Sequence, residues 1–133
     1  MKSVRNPIPT VDDECIVCNV PYASLHECFG GGNRGLSQYY GMQVRLCEEH
    51  HKAGRISAHN DSAFNFLLKH VFQLNFNRWY PNLDFVSIFK RNYILPDEIV
   101  DDYCFQLKWI SDKILDQLML DEPVHDVMKR GVI

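Results

Sequence analysis

Two pairs of cysteine or histidine at three-residue spacing constrain this chain more than any other feature in it. Cys15-Ile16-Val17-Cys18 is followed, after 28 intervening residues, by Cys47-Glu48-Glu49-His50-His51. A C-x2-C turn places two thiolates on one knuckle. The second pair follows the apolar, strand-like run Met42–Leu46, where a strand hands over to a helix, so its ligands share the first helical turn. Together the pairs supply the four tetrahedral sulfur and nitrogen donors of a structural Zn2+ site, with Cys15, Cys18, Cys47 and His50 as ligands. His51, at C-x3-H spacing, is the alternative fourth ligand. Buried free thiols explain isolated cysteines well, but two paired spacings in one short segment favour metal. Cys28 and Cys104 have no partner at metal spacing and are expected as packed thiols.

The segment around these ligands needs such a staple. Residues 14–60 hold four of the five Cys, four of the six His and six of the seven Gly. A loop-rich unit of that size is too poor in core to fold without help. Residues 1–13 are polar, carry Pro7 and Pro9, and read as an extended arm.

After residue 60 the texture becomes helical. Asp61 is placed to cap a helix with Phe64, Leu67, Leu68, Val71, Phe72 and Phe76 at spacings of three and four, a period that buries one face. Pro81 ends it. A shorter helix follows with Phe85, Ile88, Phe89 and Asn92 on one side. Pro96 opens a third, with Asp97 and Glu98 in the first turn where the helix dipole favours acids. Its stripe runs Ile99, Tyr103, Leu107, Ile110, Ile114 and Leu118, and Pro123 ends it. The expected fold is α+β: a zinc-stabilised unit over 14–60 and a three-helix region over 61–133, packed as one domain. Composition agrees, since 46% hydrophobic and 23% charged residues exclude a disordered chain. No apolar run reaches the roughly 20 residues that span a bilayer. The N-terminal stretch has no apolar signal region, so a cytoplasmic location and no membrane partner are expected.

Between the ligand pairs lies a second ordered set of residues. Leu25-His26-Glu27-Cys28-Phe29-Gly30-Gly31-Gly32-Asn33-Arg34 leads into Leu36-Ser37-Gln38-Tyr39-Tyr40-Gly41, and His51 and Ala58-His59-Asn60 come later. With the flanking C-x2-C and LC-x-x-HH elements, residues 15–60 resemble the HNH-type treble-clef zinc proteins of bacteriophages. Phe85–Tyr93, with Arg91-Asn92-Tyr93, is similar to a segment of such proteins, and residues 97–133 fall outside the resemblance. In active HNH nucleases a first Asp or His and a last His hold a divalent ion against the scissile phosphate, and a central His activates water. The resemblance puts His26 in the first position, His51 or His59 in the metal-facing ones, and Glu27 at the base position. A second divalent ion such as Mg2+ is implied only if that site is active. Each residue also has a structural role open to it. His26 can be a core histidine, Glu27 an ion partner of Arg34, His59 part of a capping loop, and Gly30–Gly32 a tight turn.

Two functions are compatible with these residues. One is a metal-dependent HNH endonuclease acting on DNA through His26, Glu27, His51 and His59. The other is a binding protein on an idle HNH-like fold. The resemblance extends to small acidic phage proteins that block host nucleases, including CRISPR-Cas effectors with basic DNA channels. Formal charge is -3 overall, and residues 94–133 carry nine acidic against four basic side chains. Asp97, Glu98, Asp101, Asp102, Asp112 and Asp116 would complement a basic host protein and speed encounter, although a solvated helix face explains them too. DNA binding draws on counterion release and favours basic chains, so the charge balance places the inhibitory role first, with weak or absent nuclease activity. Arg34, Arg45, Lys52 and Arg55 are too few, beside Glu48 and Glu49, for a non-cutting DNA-binding accessory.

Overall fold

A chain with few strand-forming segments mounts its functional loops on the smallest sheet available. Residues 14–55, 57–112 and 114–115 are described by the computed structural model, an α+β arrangement of a two-stranded sheet and several helices. The arm expected over 1–13, the end of the third helix with Leu118 and Pro123, and Asp116 lie outside the described residues.

Strand β1 (Ser24–Glu27) pairs antiparallel with β2 (Gln43–Leu46), with His26 opposite Val44 and Glu27 opposite Gln43. Between them the chain makes a 3-10 turn, Gly31–Asn33, and helix α1 (Arg34–Tyr40). Gly31 has φ +59, a conformation that costs a Cβ-bearing residue energy. The buried Ser37 hydroxyl donates to the Phe29 carbonyl at 2.7 Å and accepts from the Phe29 N–H at 3.1 Å, tying α1 to the end of β1.

Helix α2 (Ser62–Trp79) starts where the Asp61 carboxylate accepts from the Phe64 N–H at 2.8 Å. All six residues of its expected stripe, Phe64, Leu67, Leu68, Val71, Phe72 and Phe76, are buried. Asp61→Ala leaves that N–H without its cap and is expected to cost about 1 kcal/mol, read as a lower urea midpoint with an unchanged slope. Phe76 stands among the rings of Tyr40, Tyr80, Phe85 and Phe89, at centroid distances of 5.3, 4.9, 5.4 and 5.8 Å. Phe29, two residues after β1, joins the same cluster through Phe85, Phe89 and Tyr93 at 5.1, 5.0 and 5.2 Å. The helical segment therefore packs against the chain that follows β1.

Helix α3 (Phe85–Phe89) is shorter than expected. Asn92 lies beyond it, not on its face; its side-chain oxygen accepts from Gln73 Nε2 at 2.8 Å and from the Ile94 N–H at 3.2 Å. The third expected helix is not continuous. Helix α4 (Asp97–Leu107) ends at Lys108, and α5 (Trp109–Asp112) follows. Lys108 has φ 55 and ψ −124, a turn conformation outside the helical range. The Ser111 hydroxyl donates to the Lys108 carbonyl at 2.6 Å and so occupies an oxygen freed by the break. Leu107, Ile110 and Ile114 are buried across the turn, whereas Ile99 is 37% exposed and does not belong to a buried stripe. Lysine is a good helix former, so nothing local announces the break. Among the described residues, no helix is long and apolar enough to cross a membrane.

Candidate metal centre and histidine cleft

The first ligand pair sits on a turn built by the sulfur itself. The Val17 N–H donates to Cys15 Sγ at 3.4 Å, and the Asn19 N–H donates to the Cys15 carbonyl at 2.8 Å. Asn19 takes φ 65, a left-handed conformation that asparagine tolerates. The Ile16 N–H donates to the Arg45 carbonyl at 3.0 Å, which docks this knuckle against β2. The second pair begins at Cys47, one residue after β2, and continues into the helical turn Glu49–Ala53. Gly54 closes that turn with an N–H to the Glu49 carbonyl at 2.8 Å, where a Cβ would collide with the same carbonyl at 2.5 Å.

These two mounts bring Cys15, Cys18, Cys47 and His50 into one cluster whose donor atoms lie within 4.8 Å of one another and could hold a metal ion. Cys18 Sγ is 3.6 Å from Cys47 Sγ, and His50 Nδ1 is 3.3 Å from Cys47 Sγ and 3.8 Å from Cys15 Sγ. No pair is at a disulfide distance of roughly 2.0 Å. His50, not His51, faces the three thiols.

His51 belongs to a second cluster, with His26 and His59. His26 comes from β1 and His51 from the turn after Cys47. His59 is laid beside His51 by two backbone bonds, Ala58 N–H to the His50 carbonyl at 2.8 Å and His59 N–H to the His51 carbonyl at 3.1 Å. Asn60 strengthens that fold of the chain, its amide donating to the carbonyls of Lys52 and Gly54 at 2.6 and 2.9 Å. The ring centroids are 4.9 Å apart for His26–His51, 5.8 Å for His26–His59 and 4.8 Å for His51–His59, all edge to face. Burial, with added repulsion from His51, His59 and Lys69, lowers the His26 pKa to about 3. Burial and His59 also lower that of His51. Both rings are therefore neutral near pH 7, as metal donors must be. His26 Nε2 is buried and has no hydrogen-bond partner among the described residues. An orphaned buried nitrogen costs roughly 1–3 kcal/mol, and a cation held by the three rings would relieve it.

The three rings line an open cleft of about 430 Å³ with Glu27, Arg34, Lys52, Asn65 and Lys69. Glu27 is pinned on its wall: Oε2 accepts from Gln38 Nε2 at 3.2 Å, and Oε1 lies 3.7 Å from Arg34 Nε. The pairing of Glu27 with Arg34 open to the sequence is thus present, and the same carboxylate faces the cleft. Three cations against one carboxylate make the wall basic in a chain of net charge -3. Lys69 and Asn65 are the residues sequence reasoning missed. They stand one helical turn apart on α2, on the flank of its buried stripe, and no motif marks them. Cys28 is fully buried and Cys104 half-buried against the core, and neither belongs to either cluster. Asp97, Glu98, Asp101, Asp102 and Asp112 are exposed and line neither site. No family model, curated protein or solved structure matches the chain.

Proposed function

We propose that this chain is a zinc-stabilised treble-clef protein of the HNH type whose histidine cleft cleaves phosphodiesters with the help of a second divalent ion. The convergence of His26, His51 and His59, from three separate parts of the chain, onto a basic cleft carries this reading. Zinc suits the first cluster because three of its sulfur–sulfur and sulfur–nitrogen separations, 3.3–3.8 Å, approximate the edges, roughly 3.5–3.8 Å, of a tetrahedron with zinc–sulfur bonds of about 2.3 Å. In this reading the β1–β2 strand pair, the Cys knuckle and the turn carrying Cys47 and His50 are the parts of a treble clef. Net charge favours a binding role, but charge is a global quantity, and the cleft wall is basic with Arg34, Lys52 and Lys69 against Glu27. Local charge governs what reaches a site.

In this reading His26, His51 and His59 hold the second ion, which supplies stabilisation of charge on the phosphate and leaving oxygen. The Glu27 carboxylate accepts the proton of the attacking water, with Gln38 and Arg34 fixing its position. Arg34 and Lys52, both exposed, receive the flanking phosphates of a nucleic acid. The test incubates the protein with supercoiled plasmid and Mg2+, Mn2+ or Ni2+. Wild type should nick it, and the variant carrying His26→Ala and Glu27→Ala should lose on the order of 100-fold or more in rate. A wild type inert with all three ions ends the cleavage reading.

A second reading rests on a different observation. Asp97, Glu98, Asp101 and Asp102 share the exposed side of α4, Asp112 is exposed on α5, and none pairs with a cation among the described residues. Such a face fits a basic host protein of the CRISPR-Cas effector type. Reversing Asp101, Asp102 and Asp112 would then weaken binding more at low salt than at high salt. Inhibition would survive the loss of His26 and Glu27.

A further inference from the structure

We propose that Lys69, with Asn65 one turn before it on α2, forms a phosphate-binding subsite in the same cleft as the histidine cluster. The proposal deepens the cleavage reading and assigns a residue from outside the Cys/His-rich unit to the substrate. Lys69 Nζ donates to the Cys28 carbonyl at 2.6 Å and lies 5.5 and 5.6 Å from the ring centroids of Phe29 and Tyr93. One carbonyl and two ring faces hold an ammonium in place without neutralising it. Among the described residues no carboxylate lies within ion-pair distance of Lys69; the one carboxylate on the cleft wall, Glu27, pairs with Arg34. Burial costs this ammonium solvation, and Arg91 adds repulsion. A half-buried, uncompensated cation is expensive to keep and is stabilised by an arriving anion. An ammonium has three donors, and the Cys28 carbonyl uses one of them.

The position is as specific as the charge. Cys28 directly follows the His26–Glu27 pair, so the anchor of Lys69 lies within two residues of the proposed ligand and base. The Asn65 side chain lines the same cleft and makes no hydrogen bond among the described residues. Its amide and the remaining Lys69 donors can take the non-bridging oxygens of a phosphodiester. Lysine does this as a point charge, needing no planar geometry.

The experiment combines two readouts on the full chain. Binding of a fluorescent DNA duplex in Ca2+ is followed by anisotropy across a salt series, and single-turnover cleavage is followed in Mn2+. Lys69→Met keeps the aliphatic stem and loses the charge. It should lower the slope of log affinity against log salt by about 0.9 and slow cleavage roughly 100-fold. Mn2+ affinity should stay unchanged, and Lys69→Arg should restore the slope. A merely structural lysine would not move the salt slope. Asn65→Ala leaves the Cys28 anchor intact and should slow cleavage several-fold, which keeps the test decisive if Lys69→Met fails to fold. Wild-type slope and rate in both variants would overturn the subsite, as would a wild type with no salt-dependent binding. A wild type that binds with a lysine-dependent slope yet cuts with no ion supports the subsite and sinks cleavage alone. A wild type that cuts while both variants match it does the reverse.

Discussion

Removing the metal from the Cys15, Cys18, Cys47 and His50 cluster is expected to unfold at least residues 14–60. Freshly purified protein should contain zinc by elemental analysis, and Cys47→Ser should release it. Structural zinc contributes an apparent ~10–16 kcal/mol to folding, as much as or more than the ~5–15 kcal/mol net stability of a typical domain. Nothing else in the segment offers a comparable term. Its sheet has two strands of four residues each, and an isolated hairpin is marginal in water. Cys47 is the sensitive position because its sulfur neighbours both Cys18 and His50 while its backbone joins β2 to the His50–His51 turn. The loss should appear together in circular dichroism and metal content. A Cys47→Ser variant that melts like wild type without metal would show that packing alone holds the unit, and protein purified without zinc would remove the basis of the treble-clef assignment.

Phe76→Ala should cost about 3–5 kcal/mol, the largest effect expected of a single core truncation. Phe76 is fully buried, and its ring meets side chains from α1, α3 and the end of α2. Truncation leaves a cavity that these rings cannot all close, since each is held by other aromatic neighbours. The same cluster backs Phe29, which sits beside Cys28 and under Lys69. Loosening it should therefore also blunt the cleft. Denaturant midpoints measure the first effect, and a loss below about 1 kcal/mol would mean that the cluster repacks.

Much of the fold is legible in short stretches of sequence. The α2 stripe and its Asp61 cap are properties of neighbours on one helix, and a period of three and four fixes which face is buried. The metal ligands are legible for the same reason. A C-x2-C knuckle and a C-x2-H turn are local geometry, and only their meeting is long-range.

The rest turns on directions and distances that no window of sequence contains. His50 and His51 are adjacent, yet successive residues on a helix point roughly 100° apart, so one joins the thiols and the other joins His26 and His59. Which does which depends on how the turn docks against β2. The break at Lys108 is invisible in a lysine. There the Ser111 hydroxyl and N–H both donate to the Lys108 carbonyl, contacts that exist only once the chain has turned. The cleft itself is a tertiary product. His26, His59 and Lys69 lie up to 43 positions apart, and antiparallel pairing, two backbone bonds and an aromatic cluster bring them to one wall. The sequence by itself determined the donor pairs, the capped helix and the acidic tail, because each follows from residues within a few positions. Only the tertiary structure decided the division of the histidines between two clusters and the basic wall beside the second, because both depend on contacts between segments distant in the chain.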